Sequence, residues 1–485
     1  MNDLLIIGGG INGCAVARDA AGRGLSVRLV EQDDLASGTS SASTKLIHGG
    51  LRYLELYEFR LVHEALAERE LLLAAAPHII WPLKFVLPHE KGLRPVWMLR
   101  LGLFLYDHLA RRKRLEGSHM VSLKRSPLGA PLRETYSVGF TYADCWVEDS
   151  RLVALNALDA RERGATISVG AKLVSARREN GRWVARLDSG ETIEARVLVN
   201  AAGPWVAQVI EGALHVSSRK HVRLVKGSHL VTRKLFDGPQ AYILQNPDGR
   251  IVFAIPFERD FTLIGTTDVP YDGAPGPVAI SDVETDYLID SVNHFLRRPL
   301  TRDDIVWSYA GLRPLYDDGA LNASVVTRDY AFDLDAPEGA APALSIFGGK
   351  ITTARRLAEH ALDDLAAYLP DHGEAWTAGG ILPGGDAGFD ETLAWLMREK
   401  PFLGERLAWR LARSYGTRAE RIVGDARGME DLGRDFGYGL TEAEVRYLVE
   451  NEWARRAEDI LWRRSKLGLH MSVAEQEGLR AHLNA

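Results

Sequence analysis

A chain of 485 residues is too long for a single ordinary core, so two or three domains are expected. Hydrophobic residues at 46% and charged residues at 26% exclude a disordered chain, and a formal net charge of −6 argues against a general nucleic-acid binder. The only cysteines, Cys14 and Cys145, lack ligand-like spacing, which argues for reduced, buried thiols and against a disulfide framework or a metal site.

The chain opens on Leu4-Leu5-Ile6-Ile7, a short apolar run of the kind that forms a buried parallel strand. No basic leader precedes it, and no apolar run reaches the about 20 residues that cross a bilayer. Gly8-x-Gly10-x-x-Gly13 follows, then a helix from about Ile11 that Gly22 and Gly24 stop, then a strand from Ser26 to Val30 and the acidic Glu31. This order is the fingerprint of a dinucleotide site. Gly8 permits the tight turn, Gly10 lets the backbone approach a pyrophosphate, and Gly13 lets helix and strand pack closely. The helix N-terminus offers free N–H groups to phosphates, and Glu31 accepts from a ribose hydroxyl pair while repelling a 2′-phosphate.

Further along, a basic and aromatic segment covers Trp81 to Arg114. Within it, Pro95 to Arg114 reads as one amphipathic helix, with Trp97, Leu101, Phe104 and Leu105 on one side and Arg100, Arg111 and Arg114 on the other, Arg112 and Lys113 adding charge. Ile167 to Val199 reads as a meander with turns at Glu179-Asn180-Gly181 and Asp188-Ser189-Gly190, and Leu224 to Asp268 as further β-rich runs suited to an antiparallel sheet. Ala343 to Leu365 returns to strand, Gly-Gly turn and helix. After Pro383-Gly384-Gly385 the chain becomes rich in Ala, Arg, Glu and Leu at helical spacing.

Two later segments, Val199-Asn200-Ala201-Ala202-Gly203 and Phe347-Gly348-Gly349-Lys350, resemble the cofactor-facing strand and the late strand-to-helix turn of two-dinucleotide-binding flavoproteins. That favours FAD over NAD, with a second helix N-terminus facing the flavin. The long signature Thr39-Ser40-Ser41-Ala42-Ser43-Thr44-Lys45-Leu46-Ile47-His48-Gly49-Gly50-Leu51-Arg52-Tyr53 closely resembles that of FAD-dependent, aerobic respiratory glycerol-3-phosphate dehydrogenases. The resemblance continues in Lys226-Gly227-Ser228-His229, Ile264-Gly265-Thr266-Thr267-Asp268, Ser308 to Leu315, Thr327 to Tyr330 and Trp462-Arg463-Arg464, and so covers nearly the whole chain.

The resemblance implies an α/β + α architecture. Its parts are a Rossmann-like FAD domain (1–70, 140–210 and 328–370), a substrate or cap domain with an antiparallel sheet (71–139 and 211–327) and a C-terminal helical domain (385–485). Its cofactor-binding set comprises Gly8, Gly10, Asn12, Gly13, Glu31, Ser40, Ser41, Lys45, Leu46, His48, Ala202, Gly203, Gly348, Gly349 and Lys350. Oxidising a secondary alcohol takes hydride transfer to the flavin and proton transfer to a base, and a substrate phosphate takes cations in a partly dry pocket. Arg313 is the first choice of phosphate anchor, then Arg52, with Lys350 in the same motif set, Tyr53 supplying a hydroxyl and Arg328 at the rim. His229 is favoured over His48 as the base.

The implied reaction is oxidation of sn-glycerol 3-phosphate to dihydroxyacetone phosphate, with electrons passed to a membrane quinone. That places the protein on the cytoplasmic face of the inner membrane as a peripheral protein held by anionic lipid, with 95–114 as the candidate contact. Homodimerisation stays open. So do a glycerol-3-phosphate oxidase using oxygen, an amine or amino-acid oxidase, and a non-catalytic flavin protein on the same scaffold.

Overall fold

The computed structural model describes residues 1–90, 95–317 and 329–484, with residues 52, 55 and 56 described by their backbone alone. Two sheets and a helical bundle organise them. The first sheet has eight strands and is parallel at its centre, in the order Ala343–Gly348, Thr192–Asn200, Asn2–Ile7, Val27–Glu31, Thr166–Val169. Strand Tyr330–Asp335 pairs antiparallel on one edge, and the hairpin Leu173–Glu179/Arg182–Leu187 continues from Thr192–Asn200. The central strand Asn2–Ile7 buries Leu4, Leu5 and Ile6 completely, as a parallel strand covered on both faces must. Helix Ile11–Gly22 packs on one face beside Asp149–Glu162 and Ala354–Leu365, and small residues (Ala15, Ala17, Ala20 and Ala21) allow that close approach.

The second sheet has ten strands, and most of its pairs are antiparallel. Strand Val222–Arg233 sits between Phe261–Gly265 and Ile305–Tyr316 and pairs with the latter along nearly its full length. Two strands expected in the FAD unit lie here instead. Val138–Val147 pairs with Ile80–Pro88 from Gly139 to Val147, and Leu46–Ile47 pairs with Trp146 and Cys145. The cap sheet therefore reaches under the FAD-side signature, a register that a linear boundary near residue 140 misses.

The C-terminal unit is helical, with helices such as Phe389–Glu399, Gly404–Tyr415 and Glu442–Glu452 around a core including Leu396, Leu411, Leu440, Leu448 and Ile460. It is tied to the domain of the first sheet by ion pairs. Arg464 donates Nη1 and Nη2 to the Asp34 carboxylate at 2.8 and 2.6 Å, and Arg463 Nε reaches the same carboxylate at 2.5 Å. Burial alone would raise the Asp34 carboxyl, but the two guanidinium groups hold it below the usual carboxylate range.

The basic amphipathic segment is shorter than expected. Its helix is Val96–His108, and Arg111 to Arg114 lie in the loop beyond. Tyr106 and Leu103 face inward, the Tyr106 hydroxyl donating to Asp144 at 2.8 Å and accepting from the Gly49 amide at 2.8 Å. The outward side carries Trp97, Met98, Leu101 and Phe104, exposed by 64%, 41%, 50% and 56%. The helix is thus apolar on both faces: one packs on the cap sheet, and the other is left uncovered by the described residues.

Candidate active site

One cavity of about 940 Å³ runs between the two sheets. At its dinucleotide end the wall is mostly main chain. Gly8 has φ 109°, and a Cβ there would lie 2.6 Å from the Ala201 carbonyl oxygen, so the turn holds no other residue without strain. Gly13 is not on the wall. A Cβ at Gly13 would lie 2.0 Å from the Gly8 carbonyl oxygen, so its role is the close packing of helix on strand. Glu31, at the end of its strand, accepts from the Gly9 amide at 2.7 Å and the Asp33 amide at 2.8 Å, which fixes the carboxylate at the cavity edge.

The remaining expected cofactor residues divide. Gly10, Asn12, Ser40, Leu46, His48, Ala202, Gly203, Gly348, Gly349 and Lys350 all line the cavity. Asn12 donates Nδ2 to the Gly348 carbonyl at 3.2 Å, which joins the first turn to the last. Its buried Oδ1 has no partner among the described residues. Ser40 Oγ accepts from the Ile11 amide at 3.0 Å. Lys45 and Ser41 lie off the wall. The fully buried Lys45 ammonium donates to both oxygens of Asp149 at 2.8 Å and to the Ser41 carbonyl at 3.1 Å, because a desolvated cation must be paired. These two hold the loop rather than face the cavity.

At the other end the wall is made of side chains. Arg313, Thr266 and Asp268 converge there, with Lys350 and Tyr53 also on the wall. The Arg313 guanidinium forms an ion pair with Asp268, donates Nη2 to Thr266 Oγ1 at 2.7 Å, and lies over Gly227, where a Cβ would meet Nη2 at 2.3 Å. The Lys350 ammonium sits 4.1 Å from the centre of the Tyr53 ring. Tyr142, Ile243, Ile251 and Phe253 of the cap sheet close the opposite side and keep it apolar. The Arg52 side chain and Arg328 lie outside the described residues.

Of the two histidines, only His229 departs from expectation. His48 is on the wall, whereas His229 is fully buried behind it. In the sheet, His229 stands opposite Tyr309 on one neighbouring strand and Gly265 on the other, so its ring lies on one face between them. It lies 4.7 Å from the Tyr309 ring in a stacked arrangement, with Gly265 against its edge. Its Nε2 hydrogen-bonds the Thr44 hydroxyl at 2.9 Å, and Thr44 lines the cavity, so one hydroxyl separates the imidazole from the site. Burial, then Arg313 and Lys45, push the His229 imidazole well below its usual value. Burial lowers His48 too; Asp144 opposes this, while Lys350 and Arg69 reinforce it. Both rings are therefore neutral at neutral pH.

Thr44, Thr266 and Asp268 are side chains on the cavity wall that residue-type reasoning passed over. All three stand in motifs quoted above, and their signal was position beside a singled-out Arg or His.

The matches to known proteins agree with this geometry. The model of the FAD dependent oxidoreductase family matches residues 3–330, and that of the C-terminal domain of alpha-glycerophosphate oxidase matches residues 375–481. The aerobic glycerol-3-phosphate dehydrogenase of Escherichia coli is 51% identical over 98% of this chain and 95% of its own length. The chain belongs to the FAD-dependent glycerol-3-phosphate dehydrogenase family. A D-erythritol 1-phosphate dehydrogenase of Brucella abortus is 55% identical over 98% of this chain and 96% of its own. Among solved structures, the glycerol-3-phosphate dehydrogenase from Bacillus halodurans complexed with FAD superposes with a TM-score of 0.75 at 29% identity. It covers 100% of this chain and 94% of that one.

The cofactor of this family member is FAD, and the residues present fit it. The Gly8–Gly13 turn opens a main-chain cradle, the Glu31 carboxylate at the cavity edge is an acceptor of the kind ribose hydroxyls need, and the Oδ1 of Asn12, without a partner among the described residues, is available where the two turns meet.

Proposed function

We propose that this protein oxidises sn-glycerol 3-phosphate to dihydroxyacetone phosphate and passes the electrons to a quinone at a membrane surface. The observation that carries the reading is the pair of cationic side chains, Arg313 and Lys350, on the wall of the cavity that receives the flavin. Bound FAD supplies the hydride acceptor. Arg313, aimed by Asp268 and Thr266, binds the phosphate, and Lys350 on the Tyr53 ring adds a second positive charge. The apolar wall of Ile243, Ile251 and Phe253 excludes water from the reacting carbon. The neutral His229 takes the hydroxyl proton through Thr44, whose hydroxyl passes its own proton to Nε2 as it receives the substrate's.

The Brucella abortus relative favours a second substrate with the same phosphate and a longer polyol chain, D-erythritol 1-phosphate. A secondary alcohol beside a phosphorylated end is common to both, so the anchor and base serve either.

The outward face of helix Val96–His108 supports the membrane part of the reading. Trp97, Leu101 and Phe104 stand in solvent beside Arg100, and Arg111, Lys113 and Arg114 follow; no ion pair engages these four cations among the described residues. Exposed aromatic and aliphatic side chains with a basic collar suit the interface of an anionic bilayer. No helix among the described residues is long and apolar enough to cross a membrane, so contact through this helix is superficial.

The test is anaerobic mixing of the holoenzyme with glycerol 3-phosphate or D-erythritol 1-phosphate, followed by a quinone. Loss of the flavin absorbance and its return on adding quinone are expected. No bleaching by either substrate would overturn the reading, and return only with oxygen would replace the quinone. Arg313→Ala should keep FAD and lower kcat/KM by about tenfold or more, since a charge-assisted hydrogen bond is worth about 1.5–3 kcal/mol.

A further inference from the structure

Behind the substrate end, and off the cavity wall, lies a buried carboxylate with an unusually full set of partners. Glu284 is 4% exposed and stands in the first turn of helix Asp282–Asn293. Its Oε2 accepts from the Ser281 amide and hydroxyl, both at 2.9 Å, and from Lys226 Nζ at 2.7 Å. Its Oε1 faces the other way and accepts from Ser228 Oγ and Thr267 Oγ1, each at 2.8 Å. Closing the helix N-terminus requires only the Ser281 pair. The Oε1 bonds need another reason.

That reason is in what Ser228 and Thr267 hold. Thr267 Oγ1 accepts from the Ser228 amide at 3.0 Å, and the Thr267 amide donates back to the Ser228 carbonyl at 3.3 Å, so the turn 266–268 is pinned to strand Val222–Arg233. Thr266 and Asp268, on either side of Thr267, are the side chains that grip Arg313, and the Thr267 carbonyl is a third, longer contact at 3.5 Å. Ser228 lies between Gly227, over which the Arg313 guanidinium rests, and His229. Each residue that Oε1 touches therefore adjoins a group that touches Arg313 or is the base.

We propose that Glu284 is a positioning residue for the substrate phosphate: through Ser228 and Thr267 it fixes the 266–268 turn that aims Arg313 into the cavity. The proposal rests on Arg313 as the phosphate anchor. It assigns a task to the Lys226-Gly227-Ser228-His229 motif beyond the histidine, since Lys226 and Ser228 hold the same carboxylate from one face of the strand. Burial opposes ionisation of Glu284, but Lys226, the Ser281 amide and the two hydroxyls hold its carboxyl down to about 2, so it is an acceptor throughout the working pH range.

The test uses the full-length holoenzyme carrying Thr267→Val, Ser228→Ala or Glu284→Gln, each alone and Thr267→Val also with Arg313→Ala. Rates are expressed per bound flavin, and inorganic phosphate serves as a competitive probe of the anchor. Thr267→Val should raise the KM for glycerol 3-phosphate and the inhibition constant of phosphate together by about tenfold, with kcat much less affected. In the Arg313→Ala background the same change should move either constant by less than about twofold, because the interaction acts through Arg313. A purely structural role would lower thermal stability and flavin content in all three and leave per-flavin KM alone; that result overturns the proposal. So does an equal rise in KM in both backgrounds. If Arg313→Ala by itself leaves KM unchanged, the anchor reading falls, and that outcome is distinct from a silent Thr267. Should Glu284→Gln fail to fold, Thr267→Val decides alone.

Discussion

At the flavin end the cavity wall is main chain, contributed by Gly8, Gly10, Ala202, Gly348 and Gly349; at the substrate end it is side chain, with Arg313 held by Asp268 and Thr266. The first end needs side chains to be missing, at Gly8 on the wall and at Gly13 behind it, where the helix packs on the Gly8 turn. The second needs side chains to be aimed, so each group there depends on others from distant strands. A large constant ligand such as a dinucleotide is met by backbone and helix termini, whereas a small phosphorylated alcohol is met by charge.

Three changes would break or sharpen this contrast. The largest effect is expected of Gly13→Ala, whose new Cβ would lie 2.0 Å from the Gly8 carbonyl oxygen. The helix must move off the strand, and overpacking at the top of its usual range, about 3 kcal/mol, corresponds to more than about a hundredfold in FAD affinity. Purified protein should carry little flavin by its 450 to 280 nm absorbance ratio, and a full complement would contradict the backbone account of this end.

Next comes Arg464→Met, which tests whether the C-terminal unit supports the flavin end. Losing one partner of a buried pair usually costs about 3–5 kcal/mol; Arg463 still reaches Asp34, so about 2 kcal/mol is expected. A denaturation midpoint unchanged from the parent would show that the clamp carries no stability. The smallest effect on stability belongs to Trp97→Ser with Phe104→Ser. Both side chains are mostly in solvent, so unfolding free energy should change by less than about 0.5 kcal/mol each. Co-sedimentation with anionic vesicles should nevertheless fall sharply, and undiminished binding would remove this helix as the membrane contact.

The contrast also explains what could be read from the residues alone. Gly8, Gly10, Gly13 and Glu31 lie within one strand–helix–strand unit, and their spacing states their geometry, so this end was legible. Arg313 was legible as the cation of the Ser308 to Leu315 motif, but its clamp was not, because Thr266 and Asp268 reach it only through the pairing of strands far apart in sequence. Lys45 stood among cofactor-facing residues in a motif, and only the packing of helix Asp149–Glu162 shows its charge turned onto Asp149. His229 is similar: its residue type announced a base, while its place behind Thr44 is set by cross-strand neighbours, the Tyr309 ring and Gly265, from strands far away in sequence. The over-long amphipathic helix failed for a local reason, since basic residues at helical spacing continue past the last helical turn at His108.

The bond between Asn12 and Gly348 joins positions 336 residues apart, and it has a consequence for how the protein is made. A ribosome adding about 5–20 residues per second needs on the order of tens of seconds to travel from one to the other. Until Ala343–Gly348 emerges, strand Thr192–Asn200 is without its parallel neighbour on that side, an edge open to non-native pairing. Asp34 waits longer still, for Arg464. Nascent chains thus pass through a stage in which the nucleotide turn exists but its far wall does not, and a supply of FAD can stabilise only the nearly finished chain.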